Sequence, residues 1–564
     1  MENNYGILLV LLFPAISGIV GFCLGKKNKE TRNDWIDIVM IVELVMLGYL
    51  GFLIIGKKVS VSLVLSDFLG LGFSLTIGVL QVLLGIVTTI VFGVTTQFMK
   101  ESMKKEEGSN RFYLLLLCMH SMVLGAFMAN NLFNFFMFAT GAFLLAYPLI
   151  MHRQDKQALK NAGIYISFLV AAIAVILTGV VIVFGFLGSV SYSGMYSTIM
   201  SKGGNSQILL GGMLVFAGFA VFSGMFPVQL QMTRGCSYGL IEVSAVLAAI
   251  VSKLGIYGML VLAANLFVES AFYGRVLLTG GLLTAIWGLL ITLTSTDIRK
   301  ILMGLDVAVN GFNILGTGLI SLCGTSNAYA IRSAVYMMLV SALCMLVLYM
   351  VALEQIRKMK TYEIKGLIAS GKGNRLLTVV SFLACAGLGG VPGTAGFLAH
   401  SMLFKTIFEN LGWKWLITVY IILWAFLMTA VTRVFMKLFV SRKEEAMKIL
   451  STQEEVRLES GESKEDSNPY RGGEILLLLI GIMQIVVGVF PRMTIDKMED
   501  IFVNFCHGER MKLAVSYFTV NAWIGFGIAL VLCILLYVNL VHGILLRAIK
   551  NKKNKELQGS RPES

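Results

Sequence analysis

The chain has 564 residues, of which 57% are hydrophobic and 14% are charged, and its formal net charge is +14 at pH 7. This composition excludes a soluble globular protein of this length and indicates a polytopic membrane protein. The basic excess does not indicate nucleic-acid binding, because the basic residues lie in loops between apolar stretches. The eight cysteines stand singly, with no CxxC or Cys/His spacing, so we expect no metal, haem, cluster or other cofactor.

Apolar stretches, each near the roughly 20 residues that a helix needs to cross a bilayer, predict an all-α polytopic membrane protein. On this length criterion we expect about 14–15 transmembrane helices. They begin near Gly6, Trp35, Phe73, Tyr113, Leu132, Ala162, Leu209, Leu240, Leu277, Ile301, Ala328, Leu377, Trp415, Ile475 and Val520. Between the second and the third, the alternation of apolar and polar residues from Val59 to Leu65 predicts a short strand at the outer surface.

The loops between these stretches alternate between basic and nearly uncharged. Basic clusters follow the first helix at Lys26-Lys27, the third at Lys104-Lys105 and the fifth at Arg153. Because basic loops stay on the cytoplasmic side, the pattern predicts a multi-pass protein of a bacterial plasma membrane, with its N-terminus outside and its C-terminal tail in the cytoplasm. No basic residue precedes the first apolar stretch, which therefore reads as a retained helix and not as a signal peptide.

The stretch from Leu240 to Leu262 contains Lys253 about halfway along its length. An ionised ammonium at the centre of a membrane helix costs roughly 2.5 kcal/mol or more unless a partner or a water-filled cavity receives it. Gly255 and Gly258 have no side chains, so another helix or water can approach the lysine closely on their face of the helix. Lys253 is therefore a candidate functional residue. The alternative is a lysine that snorkels or pairs once for structure.

The segment from Ser244 through Lys253-Leu-Gly-Ile-Tyr-Gly258 resembles the eighth-helix signature of one membrane-protein family. That family comprises the antiporter-like subunits of respiratory complex I (NADH-quinone oxidoreductase), membrane-bound hydrogenases and Mrp-type cation/proton antiporters. Further segments resemble its other helices in the same order: Arg111 to Leu115, Asn131 to Phe138, Phe226-Pro227, Asp297 to Leu302 and Gly390 to Phe397. The similarity extends over most of residues 70–440.

The resemblance implies inverted repeats, each with one discontinuous helix near the bilayer midplane. The breaks are expected at Pro227 and at Pro392-Gly393. It also implies four parts of the chain: N-terminal helices with an outer hairpin (1–110), an antiporter-like proton-translocation core (111–440), a polar cytoplasmic loop (441–472), and C-terminal helices with a basic tail (473–564).

Members of the family are thought to carry a row of titratable groups along the membrane midplane. Two of those positions remain titratable here: the eighth-helix lysine is Lys253, and the charged position of the twelfth helix falls on His400. The positions of the fifth-helix glutamate, the seventh-helix lysine, and the eleventh-helix histidine and lysine hold side chains that cannot titrate. These are Thr140, Phe222, Ser333 and Met337.

Three further acidic residues within predicted helices are candidates for the same relay. Glu43 and Asp306 are the candidates to pair with Lys253 or to replace the missing glutamate. Glu242 precedes Lys253 by eleven residues, or about three helical turns, so the two should share a helix side without touching. His120 in the fourth helix is expected to be a core histidine more than a relay group.

The resemblance implies a proton (or sodium/proton) translocating subunit of a redox-driven membrane complex, with other membrane subunits as partners. The sequence contains no nucleotide, quinone or metal motif, so we expect no catalytic site of its own, and the redox chemistry would belong to the partners. Two alternatives remain open. The chain could be a structural paralogue that keeps the fold and the docking surfaces but has lost the relay, or a stand-alone secondary cation transporter.

Overall fold

The structure, a computed structural model, is built almost entirely from helices. It describes residues 6–57, 61–66, 72–104, 106–152, 156–236, 239–324, 328–371, 373–411, 413–440, 471–491 and 519–559.

The first half of the described chain contains eight helices and one hairpin of two strands. In chain order they are α1 (Gly6–Lys27), α2 (Lys29–Lys57), β1 (Val61–Ser66), β2 (Phe73–Ile77), α3 (Val79–Ser102), α4 (Ser109–Met128), α5 (Leu132–Ile150), α6 (Lys156–Leu187), α7 (Tyr192–Lys202) and α8 (Ser206–Ser223).

The second half consists mainly of α-helices joined by turns, with several short π-helical segments. The α-helices are α9 (Ile241–Val246), α10 (Ser252–Asn265), α11 (Ala271–Thr294), α12 (Ile298–Cys323), α13 (Ala328–Met359), α14 (Arg375–Gly389), α15 (Ala395–Thr406), α16 (Lys414–Phe435), α17 (Arg471–Val489) and α18 (Val520–Gly559). The π-helical segments are Gln231–Cys236, Leu247–Val251, Ile407–Leu411 and Met436–Val440.

Thirteen helices within the described residues are long and apolar enough to cross a membrane. Two shorter apolar helices, Arg375–Gly389 and Gly473–Val489, bring the number of apolar helices close to the predicted number of spans. The predicted fold class, an all-α polytopic membrane protein, is therefore confirmed.

The predicted start of the third helix near Phe73 is wrong, because Phe73–Ile77 is a strand and the helix begins at Val79. The strand pairs antiparallel with Val61–Ser66, which agrees with the short strand predicted there. Its alternate residues Leu75 and Ile77 are fully buried against the first two helices. A buried strand followed directly by an apolar helix gives one continuous apolar run, and hydropathy alone does not divide it.

The segment Ile241–Asn265, which contains Lys253, is surrounded by protein on all sides. The most apolar window of this span is 100% buried, and that of Ile298–Cys323 is 94% buried. Peripheral helices differ, since α1 and α6 expose large apolar side chains such as Leu9 and Val181. The two helices that carry Lys253 and Asp306 therefore lie in the interior of the bundle.

Glycines bring α11 and α12 into close backbone contact. A Cβ atom added to Gly288 would lie 2.2 Å from the backbone nitrogen of Ala308. On the facing helix, a Cβ atom added to Gly311 would lie 2.4 Å from the nitrogen of Ala285. Side chains larger than hydrogen do not fit at these positions without moving a backbone. The depth and rotation of α12, and hence of Asp306, are fixed by this contact.

Two membrane helices are interrupted where the prolines predict it. α8 ends at Ser223, and Gly224 follows in the left-handed region with φ 67°. α14 ends in the same way before Gly390, whose φ is 69°, and the chain resumes a helix at Ala395. Helix ends leave backbone carbonyls without intrahelical partners, so each break presents polar atoms inside the bundle.

The predicted polar loop of 441–472 falls outside the described residues except for its last two positions. Residues 492–518 and 560–564 of the predicted C-terminal part also lie outside them.

Candidate functional site

Lys253 is the second residue of α10, and this helix directly follows the π-helical segment Leu247–Val251. Its side chain is fully buried. A π-helical turn leaves one backbone carbonyl out of the regular ladder and is frequent at functional sites. The lysine is therefore presented from an irregular point of an otherwise continuous helix.

The ammonium of Lys253 is held by three oxygen atoms. Its Nζ atom donates to Oδ1 of Asp306 at 2.8 Å, to Oδ1 of Asn310 at 2.5 Å and, more weakly, to Oγ of its neighbour Ser252 at 3.4 Å. An ammonium has three N–H donors, and these contacts use all of them. The pair of Lys253 and Asp306 is a salt bridge with both side chains 0% exposed.

Asn310 connects this ion pair to the break after α8. It lies one helical turn after Asp306 on α12, and its Nδ2 atom donates to Oδ2 of Asp306 at 3.3 Å. The same amide donates to the backbone carbonyl of Ser223, the last residue of α8, at 3.1 Å. One asparagine thus satisfies a carbonyl at the helix break and contacts both charged groups of the pair.

A buried ion pair of this kind is sensitive to any change of charge on either partner. Removing one partner of such a pair typically costs about 3–5 kcal/mol, because the remaining charge has no counter-charge. Neutralising Asp306 by a proton would have the same electrostatic consequence for Lys253. The arrangement can therefore couple the protonation of one group to the release of a proton from the other.

The sequence analysis gave Glu43 and Asp306 as candidate partners of Lys253. In the structure, Asp306 forms the ion pair with Lys253. Glu43 lies on α2, and its carboxyl oxygens have no hydrogen-bond partner among the described residues. Glu242 is directed elsewhere as well: Oε1 accepts hydrogen bonds from the hydroxyl of Ser102 and, at 3.4 Å, from Arg357.

Glu242 and Lys253 are separated by the π-helical segment Leu247–Val251. The π-helical segment between α9 and α10 has i→i+5 hydrogen bonds and therefore more residues per turn than an α-helix. Regular α-helical spacing therefore does not apply across it. The expectation that the two side chains do not touch agrees with their separate hydrogen-bond partners.

His400 lies on α15, just after the second break, and is enclosed by aromatic rings. Its Nδ1 atom lies 2.8 Å from the hydroxyl of Tyr420, and its Nε2 atom lies 3.4 Å from the carbonyl of Leu388 near the end of α14. The imidazole stacks on Trp424 at 4.8 Å between ring centroids, and Phe312 of α12 meets its edge at 5.5 Å. The ring is fully buried and has a polar partner at each nitrogen.

Polar side chains on α12 extend from the Lys253 site in the direction of His400. They follow a helical spacing and are all buried: Asp306, Asn310, Asn313 and Thr317. Asn313 donates to the hydroxyl of Ser341 at 3.3 Å, and its Oδ1 atom has no hydrogen-bond partner among the described residues. Sequence reasoning missed Asn310 and Asn313, although their spacing of four and seven residues from Asp306 is a visible helical signal.

The four family positions that hold non-titratable residues are all buried and packed. The ring of Phe222 stacks on Phe143 at 4.3 Å between centroids. The hydroxyl of Ser333 donates to the carbonyl of Ala330 at 2.8 Å. Thr140 and Met337 are buried among the helices. At two positions where the family carries titratable groups, this chain has the stacked ring of Phe222 and the hydroxyl of Ser333, which donates to a carbonyl of its own helix.

The sequence matches one family model, described as NADH:quinone oxidoreductase/Mrp antiporter, TM, over residues 129–429. Among curated proteins, it is 22% identical to a Na(+)/H(+) antiporter subunit of Bacillus subtilis over 79% of this chain and 89% of the relative. It is 23% identical to Hydrogenase-4 component B of Escherichia coli over 59% of this chain. That alignment spans about half of the hydrogenase component, at 49% of its length.

Solved structures give the same fold at low sequence identity. A chain of the Mrp complex from Dietzia sp. superimposes with a TM-score of 0.72 at 17% identity, covering 88% of this chain and 97% of that one. A chain of the membrane-bound sulfane sulfur reductase, an archaeal respiratory membrane complex, superimposes with a TM-score of 0.76 at 17% identity, covering 89% and 98%. At this identity the superpositions establish the fold.

Proposed function

Because the chain belongs to the NADH:quinone oxidoreductase/Mrp antiporter membrane family, we propose that it is an antiporter-like subunit that translocates protons, or exchanges sodium for protons, within a multi-subunit membrane complex. The relatives named as a Na(+)/H(+) antiporter subunit and as a hydrogenase component support this assignment. We place the translocation core in residues 111–440, which contain both helix breaks, and assign the source of energy to partner subunits.

The observation that carries the proposal is the buried pair of Lys253 and Asp306. A proton that reaches Asp306 removes the counter-charge of the ammonium, which then releases its own proton to water on the other side of the site. Asn310 contacts both groups, so it keeps them in register while their charges change. In this scheme Asp306 replaces the glutamate that the family has at the position of Thr140.

His400 is the second proposed station of the relay. α12 connects it to the ion pair through its row of polar side chains, and Phe312 of the same helix meets the imidazole edge. The hydroxyl of Tyr420 at Nδ1 supplies a group that both donates and accepts, as a proton relay requires. Water that enters beside the buried amide oxygen of Asn313 would complete the path.

We place the cytoplasmic end of the core at Glu242, since the basic loops predict that α9 begins on that side. Glu242 meets Arg357, and the guanidinium also donates to the carbonyl of Phe98 at 2.6 Å. The N-terminus then lies outside and the C-terminal tail inside. Cysteine accessibility at Lys29, Lys360 and Lys552 tests this orientation, and outward labelling at two of them would contradict it.

The transport experiment compares Lys253→Ala and His400→Ala with the control Lys414→Ala, which removes an exposed lysine at the start of α16. Each complex is reconstituted into vesicles, and ion transport is measured at equal turnover of its energy source. Loss of a positioned proton-transfer group should lower transport by about tenfold or more. Lys414→Ala should transport at the wild-type rate.

A second candidate, a structural paralogue without a relay, is favoured by the stacked rings of Phe222 and Phe143. This stack closes the part of the bundle where the family carries a lysine. If Lys253→Ala and His400→Ala both assemble and transport like the wild type, the chain is a scaffold and this second candidate replaces the first.

A further inference from the structure

Three basic side chains form a cluster where the end of α16 meets the end of α11. Arg433 lies in the last turn of α16, and Lys437 lies four residues later in the π-helical segment that continues this helix. Lys365 belongs to the segment that follows α13. The charged groups that act on the ammonium of Lys437 are Arg433 and Lys365, and both are positive. We call these three residues the α16 basic cluster.

Backbone hydrogen bonds fix the segment that carries Lys365. The amide of Ala369 donates to the carbonyl of Lys437 at 2.9 Å, which ties the segment to the end of α16. The amide of Ile364 donates to the carbonyl of Thr296 at 2.8 Å, in the turn between α11 and α12. The backbone of Lys365 is therefore held between the two helix ends, and the cluster is a built feature of the fold.

Arg433 caps α11 with only one of its nitrogen atoms. Nη1 donates to the carbonyl of Thr292 at 3.4 Å and to that of Leu293, both in the last turn of α11. A guanidinium has five N–H donors, and those on Nη2 and Nε have no hydrogen-bond partner among the described residues. The same holds for the ammonium of Lys437. Capping thus explains where Arg433 lies but leaves most of these donors without an acceptor.

No described acidic residue neutralises the cluster. Asp297 pairs with Arg299 at 2.8 Å, and Glu363 is exposed and forms no ion pair within the described residues. Arg433 and Lys437 are both half-buried, so their mutual repulsion is less screened than it would be in water. An anion that accepted hydrogen bonds from both side chains would remove this repulsion.

An exposed apolar face of α11 begins within one turn of the cluster. Leu290 lies three residues before Leu293, whose carbonyl Arg433 contacts. Its side chain is 50% exposed, and Leu283 and Ile286, which precede it on the same face, are exposed as well. A basic cluster at the end of a membrane helix, beside an exposed apolar face, is the arrangement that receives a phospholipid. A free anion has nothing to cover these side chains.

We propose that the α16 basic cluster binds the phosphate group of an anionic phospholipid, whose acyl chains lie on the exposed face of α11. The free N–H groups of Arg433 and the ammonium of Lys437 donate to the phosphate oxygens. Lys365 is exposed and adds a third positive charge at the rim of the site. The headgroup bridges the ends of α11 and α16. This site is independent of the proposed transport through Lys253.

The test is native mass spectrometry of the full-length protein with dioleoylphosphatidylglycerol, which is anionic, or dioleoylphosphatidylcholine, which is zwitterionic. The wild type should bind phosphatidylglycerol in preference to phosphatidylcholine. Lys437→Gln should weaken phosphatidylglycerol binding by about fivefold, the scale of one basic charge near a lipid surface, and adding Arg433→Gln should weaken it by about fivefold again. Arg433→Lys, which keeps the charge, should retain the preference for the anionic lipid.

Lys437→Gln is the informative single variant, because it removes a charge without breaking a hydrogen bond among the described residues. Its matched control is Arg375→Gln, which removes an exposed basic charge at the start of α14. The control should bind phosphatidylglycerol like the wild type. Equal weakening by Lys437→Gln and Arg375→Gln would mean that the lipid responds to the general charge of the protein, and the proposal would then be wrong.

Thermal unfolding in detergent separates a lipid from a free anion. Phosphatidylglycerol should raise the Tm of the wild type but not that of the double variant Arg433→Gln/Lys437→Gln, since a ligand stabilises only a fold that binds it. Inorganic phosphate should leave both unchanged. If inorganic phosphate raises the Tm of the wild type alone, the cluster binds a free anion and the lipid assignment fails. Equal binding of the two lipids by the wild type would also contradict the proposal.

Discussion

Nζ of Lys253 and Oδ1 of Asp306 lie 2.8 Å apart on two different helices, in an ion pair with no exposed surface. The pair is made by α10 and α12, while the helices that carry the family's glutamate and seventh-helix lysine contribute Thr140 and Phe222. The lysine of this pair is the one that the resemblance implies, whereas its carboxylate comes from α12 and not from the helix that carries Thr140.

Asp306→Asn should lower the free energy of unfolding by about 3 kcal/mol or more, because it leaves a buried ammonium without a counter-charge. Replacing both partners, with Lys253→Met and Asp306→Asn, should recover much of this loss, since no buried charge then remains. The measurement is equilibrium unfolding of the full chain in mild detergent.

The control for this prediction is Asp297→Asn. Asp297 pairs with Arg299 at 2.8 Å near the surface, with both side chains partly exposed. A pair of this kind contributes about 0–1 kcal/mol. Equal losses of unfolding free energy for Asp306→Asn and Asp297→Asn would show that the buried pair contributes no more to stability than the surface pair.

Phe222→Lys should destabilise the protein strongly, because it breaks the stack with Phe143 and buries a charge beside the aromatic rings of Phe143 and Phe219. Adding Thr140→Glu should restore part of the stability, since Thr140 lies one helical turn before Phe143 on α5. The double variant recreates the charge types that the resemblance assigns to these two positions.

Thermal unfolding of the single and double variants measures this rescue. A double variant that is less stable than Phe222→Lys alone would mean that the two positions do not face each other. Transport by the double variant is the second measurement, and it should not fall below that of the wild type.

The fold was largely predictable from the sequence because hydropathy is a local property of each helix. The hairpin was predicted only in part: the strand from Val61 shows an alternating pattern, whereas the one from Phe73 merges with the following apolar helix. The breaks at Pro227 and Pro392 were visible because proline cannot continue a helix.

The sequence identified a site residue only where that residue type is unusual within a membrane helix. Lys253 can be identified from the sequence because a charge at mid-membrane is costly. That its partner is Asp306 and not Glu43 depends on which helices pack together. Helix pairing is a long-range property that a single sequence does not reveal. The π-helical segment Leu247–Val251 has no proline or other local signal either.

His400→Phe should keep the stack on Trp424 but remove the hydrogen bond to Tyr420, at a stability cost of about 1 kcal/mol. Transport should fall much further than this cost explains, because phenylalanine binds no proton. Tyr420→Phe should lower transport as well, since it removes the relay hydroxyl at Nδ1. Wild-type transport by His400→Phe would remove His400 from the proposed path.

A close glycine contact between α11 and α12 positions Asp306. Gly288→Val places a branched side chain where even a Cβ atom would lie 2.2 Å from the nitrogen of Ala308, so α11 and α12 must separate. Overpacking of this kind costs about 1–3 kcal/mol, and more when backbone must move. Because Ala308 follows Asp306 by two residues, the displacement also moves the carboxylate away from Lys253.

Transport should therefore fall together with stability in Gly288→Val. Gly163→Val is the matched control: this glycine lies on α6, and a Cβ atom there meets nothing within 4 Å. The control should retain both properties. If Gly288→Val loses stability but transports normally, the position of Asp306 does not set the activity, and its proposed role as the partner of Lys253 in proton transfer fails.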